Sequence, residues 1–129
     1  MNEEKKVKII KPYRESEKVF IGDEPGSYRK VFRCINKELC GSEKFVVGLT
    51  IFAPGEGGPV HVHHDAEEFS YIIQGSGVQL DKDGNICGHY EKGDVKFVPA
   101  GAYHGGYCDS DEPLVMLWAY SAGGTLPTK

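Results

Sequence analysis

Chain-breaking residues punctuate this sequence so regularly that no long helix fits between them. The chain carries 17 glycines and 7 prolines, spread along its length, and from residue 28 onward turn signals recur every 8–12 residues. The intervening segments are short and rich in β-branched and aromatic residues. Strands are expected at 28–35, 44–53, 60–64, 68–74, 77–81, 86–91, 94–98 and 114–120. No stretch of useful length repeats apolar residues at the helical period, and residues 36–41 have room for one helical turn at most. The rhythm predicts an all-β sandwich or barrel. A Gly-Ser-Gly turn is expected at 75–77, and a hairpin at 81–85 with Asp83-Gly84 as a type I′ pair.

Length and charge narrow the class. A chain of 129 residues suits one domain, read here as an N-terminal arm (1–20) and one barrel domain (21–129). The longest apolar-rich run, Phe45 to Ala53, is nine residues, against about 20 for a membrane-spanning helix. The first residues are charged and lack the apolar core of a secretory signal, so a cytoplasmic protein is expected. The net charge is −4, and no basic face speaks for nucleic acid. Cys34, Cys40, Cys87 and Cys108 form no C-x-x-C pair and read as reduced thiols.

The chemistry-bearing residues fall in two blocks. In Gly55–Gly75, His61 and His63 are two apart on a strand, which turns both imidazoles to one face. Glu68 follows a short bend that can return its carboxylate towards them. The second block, Gly93–His104, is a strand, a Pro-x-Gly turn and a further histidine. Three imidazoles and a carboxylate suit a borderline divalent metal: iron, manganese, nickel, copper, cobalt or zinc. With five histidines in the chain, three preset positions all fall on histidine by chance roughly 6 times in 100,000. Glu67 is a competing carboxylate; His64 reads as a rim residue and His89 as surface.

These blocks resemble the two motifs of the cupin family. Gly55, His61, His63, Glu68 and Gly75 match every fixed position of the first motif. Gly93, Pro99, Gly101 and His104 match the second, with Cys108 where the family often has Asn. The motifs cover 37 of 129 residues, and 17 residues separate them. The resemblance implies a double-stranded β-helix, or jelly-roll barrel, with His61, His63, Glu68 and His104 as metal ligands. It further implies a small-molecule substrate and a homodimer, for which apolar residues of the arm (Val7, Ile9, Ile10, Val19, Phe20) offer a packing surface. Cys108 reads either as a small core residue or as a soft neighbour of the metal. Thr50 and Phe52 on one strand face, and Met116 and Trp118 on another, are the expected pocket walls, with Cys108 beside them. No Lys or Arg other than Lys96 lies in the motifs, so substrate capture by a buried cation near the metal is not apparent.

Two functions fit this reading. One is a metal-dependent enzyme of dioxygenase, isomerase or lyase type, with Fe(II) or Mn(II) favoured, acting on a small oxygen-rich molecule. The other is a non-catalytic ligand-binding or sensor barrel. Retention of all four ligands favours the enzyme.

Overall fold

The computed structural model of the protein describes residues 4–121. Ten strands and two single helical turns follow in chain order: α1 (Pro12–Glu15), β1 (Glu17–Ile21), β2 (Arg29–Ile35), α2 (Lys37–Cys40), β3 (Val46–Phe52), β4 (Gly57–His61), β5 (Glu68–Gln74), β6 (Ser76–Leu80), β7 (Ile86–Glu91), β8 (Val95–Val98), β9 (His104–Cys108) and β10 (Leu114–Tyr120). The helical turns stay short for local reasons. Asn36 caps α2 by accepting from the Leu39 amide at 2.7 Å, and Gly41 ends it in the left-handed conformation at φ 75°.

The strands form two antiparallel sheets, a six-stranded one ordered β1-β2-β3-β10-β5-β8 and a four-stranded one ordered β4-β9-β6-β7. The chain changes sheet at every step from β3 to β10 except between β6 and β7. That alternation makes the two-sheet jelly roll. Central strand β10 reads LVMLWAY and pairs with both β3 and β5, which explains its nearly unbroken apolar sequence.

Between the sheets lie two apolar groups. Phe52, Ile72, Tyr90, Cys108, Leu114 and Met116 form one, with Ile72 and Leu114 wholly buried. Val31, Val46 and Trp118 form the other, packed by Val19, Ile21 and Tyr120. Strand β1, which joins the end of the expected arm (1–20) to Ile21, pairs with β2 of its own chain, Val19 opposite Val31. The Tyr13 ring meets Phe32 edge-on at 5.1 Å, which docks α1 on the same sheet.

Three local expectations are corrected. Ser76 and Gly77 belong to β6, so Gly75 alone (φ 80°) turns the chain from one sheet to the other. A Cβ there would lie 2.7 Å from the Pro113 carbonyl oxygen, so the site admits little but glycine. The hairpin after β6 is not type I′, since among the described residues only glycines have positive φ. Instead the Asp81 carboxylate accepts from the amides of Asp83 and Asn85, both at 2.9 Å, and Gly84 alone is left-handed. Strand β9, HGGYC, was not anticipated because it holds two glycines. Strands β4 and β6 press so closely on it that a Cβ on Gly106 would meet the Val78 carbonyl oxygen at 2.2 Å.

Candidate metal centre

Register brings the histidines together. In the β4–β9 ladder His61 stands directly opposite His104, and their rings lie 4.2 Å apart between centroids. His63 lies just past the end of β4, which is shorter on this side than the expected 60–64, yet its ring is 4.9 Å from that of His61. The Pro99–Ala102 turn fixes both ends of this group. Gly101, left-handed at φ 84°, donates its amide to the His63 carbonyl at 2.9 Å, and the chain then enters β9 at His104. The three histidines offer ligand atoms that all lie within 4.8 Å of one another.

Glu68 arrives from the opposite sheet as the first residue of β5. Its Oε1 lies 3.3 Å from His104 Nε2 and 3.8 Å from His63 Nε2. Its neighbour Glu67 is exposed, as are His64 and His89.

The hydrogen bonds of the rings point to what sits between them. His61 Nδ1 faces the Pro59 carbonyl at 2.9 Å, and His104 Nδ1 faces that of Ala102 at 3.0 Å. A carbonyl only accepts, so each Nδ1 carries the proton and each Nε2 presents a lone pair to the centre. His63 Nε2, His104 Nε2 and Glu68 Oε1 are buried without any hydrogen-bond partner. Burial lowers the pKa of His61 and of His63 and so favours neutral imidazole, the form that ligates. Lone pairs and a carboxylate converging without donors leave buried polar groups unsatisfied, which is costly. A divalent cation accepts the three imidazoles at once, with the Glu68 carboxylate beside two of them, so the residues present fit a metal.

The donors open onto a cavity of about 250 Å³ between the sheets. Thr50, Phe52, Met116 and Trp118 line it, and the Trp118 indole donates to the Thr50 hydroxyl at 2.7 Å. Cys108, expected beside them, does not line the cavity. It is 1% exposed in the apolar core, and its thiol faces the carbonyls of Ser110 and Glu112.

Several lining residues escaped the sequence reading. Arg29 and Arg33 of β2, outside the two motifs, reach the cavity, as does Lys96 of β8, the one cation within them. Arg29, Val31 and Arg33 alternate along β2 and all line it, so the period-2 pattern was the available signal. Tyr120 lines it too, on the same inward strand face as Met116 and Trp118 that alternation along 114–120 leads one to expect, and so does Tyr90, whereas Tyr71 and Tyr103 are exposed. Burial raises the Tyr120 phenol far above its ordinary pKa, reinforced by the Glu68 carboxylate; burial pushes Tyr90 up to about 12.

Comparison with known proteins agrees with this picture. A family model described as a cupin domain matches residues 48–120. Over 81 residues the chain is 30% identical to a gentisate 1,2-dioxygenase from a Ralstonia species, covering 63% of this chain and 22% of that protein. The chain thus spans about a fifth of that relative's length. A structure described as a predicted oxalate decarboxylase from Thermotoga maritima superposes with a TM-score of 0.74 at 21% identity, covering 88% of this chain and 98% of that one. An RmlC-like cupin from Shewanella frigidimarina gives 0.63 at 25% identity, covering 83% and 84%.

Proposed function

Because the chain belongs to the cupin domain family, we propose that it is a metal-dependent enzyme acting on a small oxygen-rich molecule, with oxygenase, isomerase or lyase chemistry. The carrying observation is the convergence of buried, unpartnered donors from His63, His104 and Glu68, with His61 beside them, at a cavity wall. In this reading His61, His63, Glu68 and His104 hold a divalent transition metal, with Fe(II) or Mn(II) favoured. The donor set supports that preference: it is nitrogen and oxygen only, since Cys108 lies elsewhere. A metal so held supplies Lewis-acid polarisation of a substrate oxygen, or redox chemistry with dioxygen.

The chain's own residues do the rest. The Pro59 and Ala102 carbonyls fix the rings of His61 and His104 through Nδ1. Phe52, Met116 and Trp118 give the substrate an apolar wall and restrict water. A distant dioxygenase relative supports the enzyme reading over a passive binder.

The test has two stages. Metal content of the purified protein, His61→Ala and His104→Ala is measured by mass spectrometry, and a substrate library is then screened for products. The proposal predicts loss of metal in both variants and turnover only in the loaded wild type. Unchanged metal in both variants overturns the ligand assignment; binding without turnover makes the protein a binder. We also infer a homodimer, supported by exposed Val7 and Ile9. Ultracentrifugation of the full chain and of a 1–20 truncation checks it, and monomer mass for both refutes it.

A further inference from the structure

We propose that Arg29 is a carboxylate anchor, so that the substrate is a small monocarboxylate carrying a second oxygen donor beside its carboxyl group. This rests on the metal-centre reading above and adds a substrate class to it.

Three cations face the cavity, and two are already engaged. Arg33 pairs through Nη1 with Glu17 at 3.2 Å, its buried Nε alone lacking a partner, and the Lys96 ammonium lies over the Tyr90 ring, 4.4 Å from its centroid. Arg29, at the start of β2, has no ion pair and no side-chain hydrogen bond among the described residues, though it is partly buried at the cavity wall. A partly withdrawn guanidinium without a partner in a protein of net charge −4 calls for an anion.

Its placement suits a substrate. Nη1 lies 3.7 Å from where a Gly58 side chain would begin, which sets the guanidinium close against β4. Three residues beyond Gly58, the same β4 carries His61, and Arg29, Gly58 and His61 all line the one cavity. An anion on Arg29 therefore lies along the same wall as the donor cluster.

Charge and shape select the anion. One uncommitted cation matches one negative charge, and the planar guanidinium fork matches the two oxygens of a carboxylate. Phe52, Met116 and Trp118 suit the carbon frame, and a volume of about 250 Å³ keeps it small. The adjacent oxygen then faces the metal donors while the carboxylate faces Arg29.

The only tryptophan of the chain, Trp118, lines this cavity and reports binding by fluorescence. Mn(II)-loaded protein is titrated with three acid and amide pairs: 2-hydroxybenzoate and 2-hydroxybenzamide, glycolate and glycolamide, pyruvate and pyruvamide. Phenyl phosphate is the competing anion. Metal content of every sample is measured alongside. The expected result is that the acid binds more tightly than its amide in at least one pair. Arg29→Gln should weaken that acid about 10- to 100-fold, leave its amide unchanged and retain full metal content, while Arg29→Lys recovers part of the affinity. No acid preference in any pair, an unaltered acid affinity in Arg29→Gln, or tighter binding of phenyl phosphate than of every acid overturns the anchor. If the wild type takes no Mn(II) yet binds acids through Arg29, the metal centre fails and the anchor stands. If it takes Mn(II) without acid preference, the reverse holds.

Discussion

Replacing Thr50 by Val tests whether the cavity wall is held by a single buried hydrogen bond. Thr50 and Trp118 are 7% and 6% exposed, and the bond between Oγ1 and Nε1 is 2.7 Å long. Valine keeps the shape and removes the acceptor, so the variant strands a buried indole N–H. That costs about 1–3 kcal/mol. With a urea dependence of about 1.5 kcal/mol per M, the midpoint should fall by roughly 0.7–2 M. The measurement is urea unfolding followed by circular dichroism, run as a double-mutant cycle with Trp118→Phe. In the Phe background no N–H remains to be stranded, so Thr50→Val should there cost under about 0.5 kcal/mol. A loss below about 0.5 kcal/mol in the wild-type background would refute the reasoning, because the indole would then have found another acceptor, such as cavity water.

Chelation followed by reloading with Mn(II) at a hundredfold excess over Kd should raise the melting temperature by about 10 °C, read by calorimetry; Glu68→Gln and His63→Ala should show a smaller rise. Gly48→Ala should destabilise by about 1–3 kcal/mol and shift Trp118 emission, since its Cβ would stand 2.3 Å from the indole and 2.8 Å from the Phe32 carbonyl oxygen. The Tyr90 phenol, raised to about 12 by burial, favours the folded state below its unfolded value near 10. That contribution is lost as pH rises through 12, so Tyr90→Phe should move the midpoint of alkaline unfolding, followed by circular dichroism, to higher pH.

The candidate donors were legible because the spacing within each motif is local. His61 and His63 stand two apart, and six residues lie between Glu68 and the turning Gly75, which distinguishes it from the exposed Glu67. Cys108 shows the limit of strand parity. Counting by twos from His104 correctly turns Gly106 and Cys108 to the interior, yet Gly106 lines the cavity while Cys108 lies among core side chains. Period gives a face and says nothing of depth. Arg29 was missed for another reason. Its access depends on β2 lying next to β3 in the same sheet, a pairing between segments that no motif records. The glycines of β9 misled for a related cause: they answer to close approach by strands remote in the chain.

The four donors are drawn from both halves of the sandwich, the histidines from the segments around β4 and β9 and Glu68 from β5. Anything that spreads the two leaves at this mouth also draws the donor atoms apart. Ion affinity and leaf spacing are then one variable, and a substitution far from any histidine that loosens inter-leaf packing should register as weaker ion capture. Linkage requires the converse: a captured ion must slow amide exchange in strands it never touches.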